Sequence, residues 1–176
     1  MSRVFISGSI SIKKIPDNVI ESLEKIQQHG LEVLVGDADG IDRKIQDYFK
    51  TTNYENVCVY SIYNPPRNIS SPFFGKKLIM VEADIKKERE RQTLKDTAMT
   101  EDSDYSLVIC DGKSKGSHKN ILRALELQKK VKVYLTYMNQ FINQQKVNKN
   151  EIDFIYYENN GYSAKEIVEY LTSEGK

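Results

Sequence analysis

The sequence contains no tryptophan, two cysteines, four prolines and two histidines in 176 residues. Two cysteines are too few for a disulfide-stapled scaffold, and with two histidines they form no spaced cluster of the kind that holds zinc. Cys58 and Cys110 each sit inside an apolar run, the setting of small core residues in a reducing compartment. Nothing in the sequence calls for a disulfide between them. Charge of one sign is also missing: 26 Lys and Arg face 25 Asp and Glu, so the chain has no global field to gather nucleic acid or an anionic membrane. No apolar run is long enough to span a bilayer, and the first residues enter a strand pattern without the basic and apolar regions of a signal peptide. The expected location is the cytoplasm, with no membrane association.

What is present is an ordinary globular composition, 39% apolar and 29% charged with the charge spread along the chain. The length suits one domain able to bury a real core. "RVFISGS" (3–9), "LEVLVG" (31–36), "VCVYS" (57–61), "YSLVIC" (105–110) and "VKVYL" (131–135) are short β-rich runs. Between the first three lie helical patterns: Val19, Ile20, Leu23 and Ile26 after Pro16 and before Gly30, then Ile41, Ile45, Tyr48 and Phe49. Such alternation calls for parallel pairing, right-handed crossovers and helices on both faces.

Residues 64–76 hold three of the four prolines and predict a long irregular excursion. Residues 84–99, dense in alternating charge, predict an exposed helix, and "HKNILRALELQKK" another, capped by Ser117. After Thr136 the chain turns rich in Asn and Gln; "FIYY" (154–157) reads as an edge strand, and Ser163 with Glu166 as the capping box of a terminal helix. Ile167, Val168, Tyr170 and Leu171 of that helix need an apolar surface, either their own core or a second copy in a homodimer.

In an open parallel sheet, ligands bind beyond the carboxyl ends of the strands. Three glycine-bearing loops belong there: Gly8 and Ser9 in "SGS" (7–9), "GDADGID" (36–42), and "DGKSKGS" (111–117). In the third, Gly112 and Gly116 let backbone pass close to a ligand, the following helix start favours an anion, and Lys113 and Lys115 add positive charge. Its spacing is neither Walker A nor GxGxxG, so a plain polar connection and a phosphate cradle both fit. Asp37, Asp39 and Asp42 crowd the second loop, where they cap a helix, hold ribose hydroxyls or exchange protons as a close carboxylate group. His29 meets the last carbonyls of its helix; His118 is a phosphate donor, a base or a solvated helix-start residue. No Ser, Cys or His arrangement points to a covalent nucleophile, and neither a metal nor a cofactor is called for.

Taken in order, "VFISGS", "VLVGDADGID", "LKDTAM" and "DYSLVICDGKSKGS", followed by "NILRALELQKKVKVYL", resemble the SLOG superfamily, the Rossmann-like nucleotide-binding proteins named for the Smf/DprA and LOG families, and within it the small stand-alone YspA-like members. The resemblance covers residues 3–135. It implies a three-layer, doubly wound parallel sheet whose core runs 3-2-1-4-5, in a nucleotide-binding domain of residues 1–137. Residues 138–176 would form a small strand-helix extension on or beside it. It implies a nucleotide or nucleotide-derived ligand, ADP-ribose-like compounds included, held by Gly8, Ser9, Gly36, Asp37, Gly40, Asp42 and the Asp111, Gly112, Lys113, Ser114, Lys115, Gly116, Ser117 loop. Arg91, Lys95, Asp96 and Met99 match a helix that these small members place beside the pocket.

The chain departs from that pattern at Asn120, where phosphoribohydrolases of the LOG group carry a glutamate. The expected function is therefore a sensor or sequestering module for a nucleotide derivative. Hydrolysis or transfer at the N-glycosidic bond of nucleoside monophosphates is the alternative, with Asp39, Asp42 or Asp96 as the carboxylate. Nucleic-acid binding is a more distant reading, because glutamates interleave the basic stretches of 86–95.

Overall fold

A computed structural model describes residues 2–174 as a seven-stranded sheet with helices on both faces, a three-layer Rossmann-like α/β fold. The elements are β1 (Arg3–Gly8), α1 (Asp17–Gln28), β2 (Glu32–Val35), α2 (Ile41–Thr51), β3 (Val57–Ser61), β4 (Gly75–Leu78), α3 (Glu88–Asp102), β5 (Tyr105–Cys110), α4 (Lys115–Glu126), β6 (Lys130–Leu135), β7 (Gln140–Phe141), α5 (Lys149–Asn159) and α6 (Ala164–Glu174). The sheet order is β4-β3-β2-β1-β5-β6-β7, parallel throughout except for the antiparallel β6–β7 pair. Its five central strands are the expected 3-2-1-4-5 core, with β5 and β6 taking the fourth and fifth places.

β1 lies at the centre and buries Val4, Phe5, Ile6 and Ser7. The alternation of a strand sends Val4 and Ile6 into a cluster with Val19, Leu23, Ile41, Ile45 and Phe49 of α1 and α2. Phe5 goes the other way, onto Leu34, Tyr60 and Met99 of α3. Farther along that second face Val108, Val131 and Val133 pack on Ile121 and Ala124 of α4 and Ile152 of α5. Order reverses between β1 and β5, so a crevice opens beyond their carboxyl ends.

Three elements differ from the sequence reading. The excursion runs into a parallel edge strand, β4, whose "GKKL" is exposed at all four positions and so carries no hydrophobic alternation. Residues 154–157 are helical: they belong to α5, where Asn148 caps Glu151 N–H and Ile152 and Asp153 are buried, while the short antiparallel strand lies earlier, at Gln140–Phe141. α3 begins at Glu88 rather than 84 and buries Lys95, Met99 and Thr100, so it is a wall of the crevice and not a free surface helix. Its inner face is polar, which is why the apolar stripe is absent from the sequence.

The C-terminal residues follow the core closely. β7 extends the sheet, α5 packs on α4, and α6 packs on α5. Ser163 and Glu166 form the reciprocal capping box, each side chain accepting the other's backbone N–H. Ile167 is buried, whereas Val168 and Tyr170 are exposed. Cys58 and Cys110 are free thiols, and no helix among the described residues is long and apolar enough to cross a membrane.

Phe49 is fully enclosed between α2 and the sheet, with Tyr48 and Tyr54 rings at 5.2 and 5.4 Å. Phe49→Ala should cost about 3–5 kcal/mol in urea unfolding, the usual penalty for an emptied aromatic site.

Candidate functional site

The crevice is a cavity of about 300 Å³ on the α3/α4 face of the sheet. Its floor is Phe5, Ser7 and Met99; Gly8, Ser9, Ile10 and Ser11 form the β1 side, Ala38 and Asp42 the β2–α2 side, and Gln92, Lys95 and Asp96 the α3 wall. Ser114, Gly116, Ser117 and Asn120 bring in the start of α4, and Arg67 reaches in from the excursion.

The three loops do converge. Ser9 N–H donates to Ile109 O at 3.0 Å, the Ser9 and Ser117 hydroxyls share a hydrogen bond of 3.1 Å, and Asp111 N–H donates to Ser9 Oγ at 3.1 Å. Gly40 has φ +81°, and a Cβ there would stand 2.9 Å from Ile10 O, so only glycine lets the second loop lie against the first. A Cβ on Gly36 would meet Asp42 Oδ2 at 2.5 Å and Lys95 Nζ at 3.0 Å; the missing side chain is the space those two charges occupy.

α4 starts at Lys115, so Ser117 lies inside its first turn and is not the cap. Ser114 holds the capping position, but its hydroxyl donates to Asp111 Oδ2 at 2.8 Å and makes no cap to the helix. Asp111 also accepts Ser11 Oγ–H and the N–H groups of Lys113 and Ser114. Burial raises the Asp111 pKa, but these bonds outweigh it and hold the carboxylate below its ordinary range. The leading amides of α4 are thus left without a side-chain cap, no acidic residue stands in the first turn, and Gly116 and Ser117 of that turn line the cavity. Uncapped amides at a helix start favour an anion.

The opposite wall is carboxylate-rich. Asp37 has no exposed surface; Arg67 Nη2 lies 2.8 Å from its Oδ1, Ser61 Oγ donates to Oδ2 at 2.6 Å, Arg67 N–H does so at 2.8 Å, and Lys95 Nζ stands 3.7 Å away. Burial pushes its pKa up, yet the Arg67 and Ser61 hydrogen bonds and the Lys95 charge win and keep it ionised. Asp42 accepts Ala38 N–H at 3.2 Å. Burial lifts it to about 6, against the pull of Lys95 and with the help of Asp96 and Asp37. Asp96 is also raised, by burial first, although Lys95, Arg123 and a hydrogen bond from Asn120 oppose this. Asn120 in turn accepts from Arg123 Nη1 at 2.7 Å. Asn120 is thus an amide that links Arg123 to Asp96.

Of the residues singled out from the sequence, Gly8, Ser9, Asp42, Lys95, Asp96, Met99, Ser114, Gly116 and Ser117 line the cavity. Gly36 and Asp37 stand directly behind it. The others lie apart. Asp39 is exposed, accepts from Asn68 Nδ2, and with Gly40 faces a separate hollow alongside Arg43 and Lys44. Arg91 donates to Ile85 O and so braces the entry to α3. Lys113 and Lys115 point to solvent, and Gly112 sits under Tyr137 and Asn159 of the C-terminal segment. His118 bonds to Asp153 at 2.7 Å and stacks on Tyr156 at 4.1 Å, an α4–α5 contact in place of a ligand contact.

Arg67, Gln92, Ser7 and Ser11 were not legible as site residues. Arg67 lies in a loop with no motif, and the α3 pattern gives no inward face. Ser7 is 7% exposed and its hydroxyl has no hydrogen-bond partner; Gln92 Oε1 is likewise buried without one. Buried polar atoms left unpaired cost about 1–3 kcal/mol each.

The raised Asp42 carboxyl binds its proton more tightly in the folded chain than in the unfolded one. Its contribution to stability is complete below the ordinary value of 3.8 and disappears as pH rises through about 6. Asp42→Asn should therefore gain on the parent between pH 4 and pH 7, by no more than about 3 kcal/mol. Paired urea titrations across that range measure it.

No family model, no curated protein and no solved structure matches this chain.

Proposed function

We propose that the cavity binds a phosphate-bearing, nucleotide-class small molecule. The observation that carries this is the uncapped start of α4 opening into one cavity that also holds the Asp42 and Asp96 carboxyls. An anion is favoured at the α4 amides and the Ser9 and Ser117 hydroxyls, while hydroxyl or amino groups of the same ligand suit the carboxylates across the cavity. The SLOG resemblance supports the same class. The volume favours a mononucleotide: about 300 Å³ is at the small end of ligand sites.

Binding is the primary role in this reading. Hydrolysis at the N-glycosidic bond is the second reading, favoured by one observation: Asp42, at about 6, is poised to hold or release a proton near neutral pH and interacts with a second raised carboxyl, Asp96. Asp39, outside the cavity, drops out of that chemistry.

Gly116 has open space where a Cβ would be. Gly116→Asp places a carboxylate at the anion site, so it should maintain or raise thermal stability and weaken nucleoside monophosphate binding by at least about ten-fold in calorimetric titration. Unchanged affinity, or silence of the parent protein across a panel of nucleoside phosphates, would remove the proposal. Release of free base from the panel, lost in Asp42→Asn, would add the hydrolase reading.

A further inference from the structure

A sheet in a layered fold has two faces to cover, and here one of them is covered only in part. α1 and α2 pack over β1, β2 and β3 on one side. The helices that follow β5 and β6, α4 and α5, both pack on the other side, and α6 packs on α5. Among the described residues, then, the layer that holds α1 has no further helix over β5 and β6. The alternation of β6 shows the effect: Val131 and Val133 are buried under α4, while Lys130 and Lys132, which point the opposite way, are exposed. A groove of about 540 Å³ is left alongside α1, floored by Val4, Tyr105 and Leu107, with Lys25 on its α1 side and Lys130 and Lys132 on the other. Lys130 Nζ lies 5.9 Å from the Tyr105 ring centre and Lys132 Nζ 4.3 Å from that of Phe141.

α1 carries the complement of this slot. Opposite its buried Val19, Leu23 and Ile26, the exposed Asp17, Glu21, Glu24 and Gln28 recur at the spacing of one helical stripe, which faces away from its own sheet. Among the described residues, neither the three carboxylates of that stripe nor Lys25, Lys130 and Lys132 take part in an ion pair. We infer that a second copy of this chain fills the slot. In a two-fold dimer whose axis runs alongside α1, each α1 lies between its own sheet and that of its partner, with its acidic stripe on the partner's Lys130 and Lys132. A two-fold requires a self-complementary surface, and one chain supplies both halves of this one. The lengths agree as well: the 12 residues of α1 span about 18 Å, and the 6 residues of β6 about 20 Å. Ser22, on the groove side of α1, is small enough to let the two helices lie side by side.

Sedimentation equilibrium of the full chain over a concentration series tests this. The parent should dimerise. Lys130→Glu with Lys132→Glu, or Glu21→Lys with Glu24→Lys, should each raise the dimer Kd by at least about ten-fold, because like charges then meet across the axis. All four positions are exposed, so both double variants should unfold thermally near the parent. Mixed together, the two variants again place opposite charges at both contacts, and the mixed dimer should form with a Kd within about three-fold of the parent's. A parent that stays monomeric throughout the series overturns the inference. So does a dimer that survives both double variants, or a mixture that fails to pair. Loss of the dimer on Val168→Asp, at the exposed face of α6, with both charge variants still paired, overturns it in favour of an α6 contact. The slot lies across the sheet from the cavity, so each of these outcomes leaves the nucleotide reading as it stands.

Discussion

The cavity depends on one buried charge. Asp37 has no surface of its own, and an isolated carboxylate in that position would be neutralised or driven out. It stays ionised because Arg67 from the excursion, Ser61 at the end of β3 and Lys95 from α3 converge on it. Three segments remote in sequence are thereby pinned to the β2–α2 turn. The excursion then has a reason to lie over the sheet edge, and α3, which lacks a strong apolar stripe, has a reason to turn its Lys95 side inward.

The same convergence divides the cavity into two electrostatic halves. On one side the first amides of α4 have no cap, because Asp111 has drawn the Ser114 hydroxyl into the loop. On the other, Lys95 stands among Asp37, Asp42 and Asp96 and cannot satisfy all three fully, so burial wins at Asp42 and Asp96 and loses at Asp37. The difference between neighbouring aspartates is a matter of donors: Asp37 collects charged and hydroxyl donors, while Asp42 relies on the Ala38 amide and a shared ammonium. A ligand with an anionic end and a donor-rich body complements both halves.

Asn120 changes the chemistry open to this crevice. As an amide, this position bridges Arg123 and Asp96 and carries no charge of its own. Any proton transfer falls to the aspartates on the facing wall. The C-terminal segment contributes from outside: Tyr137 and Asn159 crowd Gly112, and Asp153 holds His118, which fixes the α4 loop from the side away from the cavity.

The sequence by itself determined the central strands and the two α1/α2 crossovers, because strand and helix periods are local and parallel pairing admits few connections; the strand order was an expectation drawn from the resemblance. It also determined that glycine loops follow β1, β2 and β5, and the Ser163–Glu166 cap. Only the tertiary structure decided which loop residues face inward. Asp39 and Asp42 are three residues apart in one turn, yet one is exposed and the other is in the cavity; Lys95 is at the cavity and Arg91, one helical turn earlier, is at the helix entry. "GKKL" and "FIYY" were misread because an edge strand needs no apolar alternation and a short apolar run suits either a helix or a strand. Arg67 had no local signal at all, since what gives it a role is a partner, Asp37, that fixes its geometry in space.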